Sequence, residues 1–265
     1  MRSCEVSFLK QLFSILLIGA MLSVALFGGW IYYTDLTTPS CDVGEKIDSE
    51  PKKNKKTFST ADGKDVTVEF DRVDFDYFDD ALFIGDSRTV GLGSYARLAT
   101  ESEADFFAKV GLTAGRVFNV TNNEMYESTT LLEKLKMGSY GKIYIMFGVN
   151  ELPEDLEKNA AEFCTLLETV RKYQPDAIVF IQANLHVGKY RSESWEFYSN
   201  ERLELYNRMI ALNADHKNVF YLDINEGYDD AEGNLVDEYT SDDLHLDTHC
   251  YEPWEEYLKS HAIVK

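Results

Sequence analysis

The feature that most constrains this chain is a repeated one. Five short strand-like runs, Ala81–Ile84, Phe106–Val110, Ile143–Phe147, Ala177–Ile181 and Val219–Leu222, each stop at or near a Gly, Asn or Asp. Longer segments with helical spacing separate them. Near-continuous apolar runs of four or five residues suit strands buried on both faces rather than half-exposed ones. Strands of that kind alternating with helices assemble into a parallel sheet covered on both sides. The expected class is therefore α/β, with five parallel strands and no internal repeat.

The segments between the strands carry apolar stripes. Leu156, Ala160, Phe163, Leu167 and Val170 fall on one helical face, with Pro153 suited to a first turn. Trp195, Tyr198, Leu205, Met209 and Leu212 form a second stripe, and Tyr251 to His261 reads as a closing helix with Pro253 near its start. Val66–Phe70 alternates as a short edge strand does.

The chain has 265 residues, enough for one substantial domain and little more. Gln11 to Tyr33 contains no charged residue and is long enough to span a bilayer. Arg2 and Lys10 precede it, and Ser23-Val24-Ala25 offers a small-x-small cleavage site. Apolar sequence nevertheless continues to Trp30-Ile31-Tyr32-Tyr33, which favours an uncleaved anchor over a cleaved signal. Residues 34–56 are polar and read as a flexible tether with a reach of roughly 25–30 Å. The expected organisation is thus a stub and anchor over 1–33, a linker over 34–56 and a single domain over 57–265.

The lysine cluster at 52–56 follows the span, and positive charge prefers the cytoplasmic side. It lies well beyond the membrane edge, however, and long domains translocate largely regardless of charge. The domain is therefore expected outside the cytoplasm, with residues 11–33 as its membrane contact. A formal net charge of −20 argues against a nucleic-acid partner, whose phosphates need clustered cations. Of the four cysteines, only Cys164 and Cys250 fall in the domain. They can pair in an oxidising compartment, but two cysteines are no disulfide framework, and C-x-x-C metal spacing is absent.

In an open α/β sheet, ligands sit just past the strand C-termini. Gly85-Asp86-Ser87, Gly111, Gly148-Val149-Asn150 and Asn184 follow strands directly, and Asp242-Asp243-Leu244-His245 precedes the last helix. A serine hydroxyl is a weak nucleophile until a base takes its proton, and histidine does that at neutral pH. A carboxylate three residues before the histidine reaches its other ring nitrogen, whereas one two residues before diverges. That favours Asp242 over Asp243. The amide of Asn150 supplies a neutral donor where negative charge develops. Structural roles compete at each position. Ser87 can cap the helix that follows, and Asn150 can cap one starting near Pro153. His245 and His249 with Asp242 and Asp247 have metal-like spacing. Gly91-x-Gly93 lacks the third glycine of a dinucleotide fingerprint.

Gly85-Asp86-Ser87, a glycine after the second strand, Gly148-x-Asn150 and Asp242-x-x-His245 resemble, in order, the blocks of the SGNH/GDSL hydrolases over roughly residues 75–260. The resemblance implies a flavodoxin-like three-layer α/β/α sandwich with strand order 2-1-3-4-5. It implies ester hydrolysis or acyl transfer without cofactor or metal. Carried over, Ser87 is the nucleophile, His245 the general base and Asp242 its orienting carboxylate. The oxyanion hole comprises the N–H groups of Ser87 and Gly111 and the Asn150 amide, with Gly115 an alternative to Gly111. Two positions depart from the pattern: Arg88 stands where the family name has leucine, and Glu151 where the third block often has aspartate. Arg88 reads as a surface ion-pair partner or a substrate contact. Tyr190, Trp195 and Tyr198 read as cleft-lining, although Trp195 fits a core face as well. Location and family together suggest a membrane-anchored esterase acting on a small acyl group, such as acetyl, of a cell-envelope carbohydrate. An O-acyltransferase, a lysophospholipase-type esterase and a non-catalytic surface-binding domain are the other readings.

Overall fold

A computed structural model of the chain describes residues 54–59, 65–121 and 129–264. The anchor-like segment 11–33 and most of the tether lie outside them. Among the described residues no helix is long and apolar enough to cross a membrane.

Five parallel strands form the central sheet: β3 (Ala81–Gly85), β4 (Asp105–Ala108), β5 (Lys142–Met146), β6 (Ile178–Gln182) and β7 (Val219–Leu222). Their spatial order is β4-β3-β5-β6-β7, which is 2-1-3-4-5 counted within this sheet. Every residue of β3 is buried. One sheet face carries Leu82, Ile84, Ile143, Ile145, Val179 and Ile181 in a continuous core. Packed on it are the apolar faces of α3 (Leu131–Met137), α4 (Leu156–Tyr173) and α6 (Asn200–Ala211).

The opposite face is an aromatic row. Phe106, Phe83, Tyr144, Phe180 and Phe220 are register partners on successive strands. Their rings lie 5.0, 4.6, 4.6 and 5.9 Å apart in that order. Cross-strand aromatic pairs of this kind stabilise a sheet beyond the area they bury. The closing helix α7 (Glu252–Ser260) reaches this side, where Trp254 Nε1 donates to Gln182 Oε1 at 2.8 Å. Helices thus cover both faces.

Several local readings shift. The α4 stripe is buried, but the helix is capped by Asp155, and Pro153 lies in the turn before it. The stripe Trp195, Tyr198, Leu205, Met209 and Leu212 divides: Trp195, Leu205 and Leu212 are exposed, while Tyr198 and Met209 are partly buried against the core. Helix α5 (Lys189–Ser194) stops at Trp195, a 3-10 turn spans Glu196–Tyr198, and α6 restarts from a Ser199 cap. That break resets the helical phase, so Leu203, Tyr206 and Ile210 face the core instead.

Strand pairing is present from Asn54, within the stretch read as tether. Strand β1 (Asn54–Ser59) pairs antiparallel with β2 (Asp65–Phe70) in a separate two-stranded sheet, so β2 is not an edge of the main sheet. Asn54, Lys55 and Lys56, which read as tether, belong to β1: Asn54 Nδ2 lies 2.8 Å from His261 Nε2, and acidic groups hold the two lysines. Lys55 pairs with Glu69, and Lys56 Nζ donates to Glu226 at 2.6 Å and to Tyr257 Oη at 3.0 Å. Cys164 is a free thiol whose Sγ donates to Asn213 Oδ1 at 2.8 Å, so no bridge joins it to Cys250.

Candidate active site

Strand β3 ends at Gly85, and helix α1 (Ser87–Tyr95) starts two residues later. The cap is Asp86 rather than Ser87: its Oδ1 accepts from Arg88 N at 2.9 Å. Ser87 is therefore the first helical residue, its hydroxyl is not spent on capping, and its own N–H has no intrahelical acceptor.

The loop 242–245 meets it there. Ser87 Oγ lies 2.9 Å from His245 Nε2, and His245 Nδ1 lies 2.7 Å from Asp242 Oδ2. A carboxylate on Nδ1 assigns the proton to that nitrogen, which leaves Nε2 as the acceptor of the serine proton. The other oxygen, Asp242 Oδ1, accepts the backbone N–H groups of Leu244 at 2.9 Å and His245 at 2.7 Å. Burial by itself would raise the Asp242 carboxyl. The hydrogen bonds from the His245 ring and from the two backbone groups outweigh it and hold the carboxyl at about 2. Asp243 turns away. It occupies the left-handed region at φ 59°, and its side chain packs against Gly188, where a Cβ would collide with Oδ1.

Asn150 is half-buried beside this group. Its Nδ2 donates to Leu112 O at 3.0 Å and reaches Asp86 Oδ2 only at 3.5 Å. It is not a helix cap, since Asp155 holds that place. Gly111 sits in the exposed turn that follows β4, at φ 70°, immediately before Leu112. Gly115 instead backs onto Glu162 of α4. Gly148 precedes the Asn150 turn at φ 153°, and any side chain there would strike Asn184 and the Tyr206 ring.

Three groups at the site carry roles that the residue pattern did not reveal. Arg88 is neither on the surface nor open to substrate. It is 2% exposed, and its guanidinium donates to Leu185 O at 2.6 Å and to Leu244 O at 3.0 and 3.2 Å. Burial pulls its pKa down to about 10, against the opposing field of Asp86. Asn184 is a knot rather than a donor to substrate. Its Nδ2 donates to Phe147 O at 2.8 Å, and its backbone binds the side chains of Asn207 and Asn225. Glu151 is buried, with Oε1 accepting Ala114 N at 2.8 Å. Its burial pushes the carboxyl up to about 8, and the field of Asp86 adds to this while the Ala114 bond opposes it. A serine-to-arginine doublet at a strand end, and asparagines inside apolar runs, were the available signals for the first two.

A second histidine–carboxylate pair, His186 Nδ1 with Asp229 Oδ2 at 2.8 Å, faces Glu204 at 3.7 Å through its Nε2, not a hydroxyl. Among the described residues no cluster of three His, Cys, Asp or Glu side chains is arranged to hold a metal.

The family model described as the GDSL-like lipase/acylhydrolase family matches residues 83–252. The chain belongs to that family. It is accordingly a serine ester hydrolase of the GDSL type. Solved structures share the fold at low identity. A lipase from a goat rumen metagenome is 19% identical with a TM-score of 0.50, covering 68% of this chain and 95% of that one. The acetyl xylan esterase AlAXEase is 17% identical with a TM-score of 0.50, over 67% and 97% of the two chains. A GDSL-like lipase from Bacteroides thetaiotaomicron VPI-5482 is 14% identical with a TM-score of 0.50, over 68% and 85%. No curated protein matches the chain.

The buried Glu151 makes stability depend on pH in a defined direction. Below its ordinary value of 4.5 the carboxyl is protonated in folded and unfolded chains alike. Between 4.5 and about 8 the unfolded chain releases the proton and the folded chain keeps it. Stability therefore falls as pH rises through that window, by up to about 1.4 kcal/mol per pH unit. Glu151→Gln keeps an oxygen for Ala114 and removes the titration. Its Tm relative to the native chain is expected to rise steadily from pH 5 to pH 8. A constant difference across that range excludes the elevated carboxyl.

Proposed function

We propose that this GDSL hydrolase removes a small acyl group, such as acetyl, from a cell-envelope carbohydrate. Ser87 is the nucleophile, His245 the general base and Asp242 the residue that orients the imidazole. The observation that carries the catalytic part is the unbroken chain from Ser87 Oγ through His245 to Asp242, at 2.9 and 2.7 Å. In the first step Ser87 Oγ bonds to the ester carbon as its proton passes to His245 Nε2. The Asp242 carboxylate stabilises the imidazolium. The oxyanion is taken by the Ser87 and Gly111 N–H groups and by Asn150, whose second N–H, held at only 3.5 Å by Asp86, is the one free to turn toward it. His245 then returns the proton to the departing sugar oxygen, which leaves an acyl-serine. Water repeats the sequence in reverse and frees the carboxylate.

The carbohydrate reading draws on the ground beside the triad. A cavity of about 380 Å³ opens between α5 and the 237–243 segment, lined by Lys189, Tyr190, Glu193, Thr240, Ser241 and Asp243. Its lining side chains end in hydroxyl, carboxylate and ammonium groups beside the exposed ring of Tyr190, a mixed surface that suits a sugar's hydroxyls and ring face. Arg191 of α5 donates to Asp242 O at 2.9 Å, which ties that wall to the triad. The fold also houses the acetyl xylan esterase named above. The location outside the cytoplasm and the anchor rest on the uncharged stretch Gln11 to Tyr33.

Ser87→Ala is expected to abolish ester turnover with little change in thermal unfolding. Asp242→Asn should lower kcat by up to roughly 10⁴. Asp243→Asn should change it less than about tenfold, because asparagine tolerates the same left-handed backbone. Measurement of kcat on one chromogenic ester, with folding checked by circular dichroism, decides between the two aspartates. A larger loss for Asp243 overturns the assignment.

Residues 54–265 incubated with acetylated glycans and with lysophospholipids should release acetate from the former and little fatty acid from the latter. The reverse preference replaces the carbohydrate reading with the lysophospholipase one. Acetyl transfer to an added sugar in place of acetate release makes the protein a transferase. No turnover and no labelling of Ser87 by a fluorophosphonate leave a binding domain.

For location, alkaline phosphatase fused after Lys265 should be active in cells, since that enzyme folds only in an oxidising compartment. An inactive fusion alongside an active cytoplasmic reporter at the same site refutes the extracytoplasmic placement.

A further inference from the structure

We propose that Arg88 is a positioning residue that sets the Ser87–His245 distance by clamping the histidine loop to the nucleophile helix. The role rests on the catalytic reading given above. The geometry is one of paired neighbours. Ser87 and Arg88 are consecutive on the first turn of α1, and Leu244 and His245 are consecutive on the facing loop. Ser87 Oγ meets His245 Nε2 at 2.9 Å. One residue along on each side, the Arg88 guanidinium meets Leu244 O through Nη2 at 3.0 Å and Nε at 3.2 Å.

Two contacts one residue apart on both partners fix separation and orientation together, which a single hydrogen bond cannot do. The remaining arm, Nη1, binds Leu185 O at 2.6 Å, so the clamp is anchored to the chain just past β6. The planar fork of arginine suits this task, because it presents several donors in a fixed plane. The leucine of the family name offers no donor. It would leave the buried Leu185 carbonyl without this partner and remove the two bonds that tie Leu244 O to α1, while Gly188 N on Asp243 O and Arg191 on Asp242 O hold the loop only on its far side. Arg88 touches neither substrate nor the reacting atoms. It acts through the position of His245.

The test compares Arg88→Leu and Arg88→Lys with the native chain on p-nitrophenyl acetate, with turnover expressed per folded molecule. Arg88→Leu should lower kcat on the order of 10²-fold, the cost of a misplacement near 1 Å, while KM stays nearly unchanged. Arg88→Lys should recover part of the loss, since one ammonium reaches one carbonyl but not both. Addition of guanidinium ion to Arg88→Ala should restore part of its kcat. A purely structural residue would lower the folded fraction and Tm but leave kcat per folded molecule intact, and that result overturns the proposal. Loss of the fold in both the Leu and the Lys variants overturns it too. Ester turnover that is unaffected by Ser87→Ala, or absent from the native chain, refutes the triad itself, and the clamp falls with it.

Discussion

The burial of β3 on both faces is the constraint on which the rest depends. A strand with no solvent face can hold no reactive group along its length, so chemistry is confined to its end. Parallel register then does the assembling. Gly85 is paired with Ala108 of β4 and with Met146 of β5, so the three strands stop at one level. The loops that leave them carry Leu112, Asp86 and Asn150, which are distant in sequence and meet through the Asn150 side chain because the strands end in step. The aromatic row contributes to that register. Phe83 stacks on both Phe106 and Tyr144, and a slip of one residue would turn every ring of one strand to the other face.

A level edge of strand ends also creates a difficulty. Each departing chain presents carbonyls and N–H groups that the sheet no longer pairs, beneath a floor too buried for water to serve them. Arg88 answers for Leu185 and Leu244, Asn184 for Phe147, and Asn150 for Leu112. Asp86 and Glu151 are the acidic counterparts, accepting Arg88 N and Ala114 N. The site is thus built on a layer of buried polar side chains that join the loops to one another. Such a layer holds a fixed geometry when its members are satisfied and is costly when one is removed.

How much of this was legible follows from which forces are local. The five strands were readable because burial on both faces demands a run of apolar residues, and such runs are visible in one dimension. Ser87 and Asn150 were legible as candidates because strand ends can be located from those runs, and Asp242 and His245 because a carboxylate stands three residues before a histidine ahead of the last helix. What escaped depends on contacts between distant segments. Lys55 and Lys56 look like tether until Glu69 and Glu226 are seen beside them. Leu205 and Leu212 look like core until the 3-10 turn after Trp195 shifts the helical phase. Arg88 looks like surface because arginine usually is. Only the fold shows three carbonyl bonds 97 and 156 residues away in the chain.

The two histidine–aspartate pairs show why geometry beyond the pair has to be read. His186 and His245 each hold a carboxylate on Nδ1, at 2.8 and 2.7 Å. By that measure alone they are equivalent, and both rings are oriented. They differ at the other nitrogen. His186 Nε2 points at Glu204, and the side chain is 12% exposed. A proton placed there is stabilised by two carboxylates and has nowhere to go. The side chain of His245 is 40% exposed, and its Nε2 faces a hydroxyl that leaves a helix N-terminus. A proton accepted there would come from an oxygen, and losing it would make that oxygen a nucleophile. Two nearby acids leave the first pair no group whose proton it could take, whereas one acid and one hydroxyl give the second the asymmetry that proton transfer requires. In this chain that asymmetry arises where the end of β3 and the 242–245 loop meet.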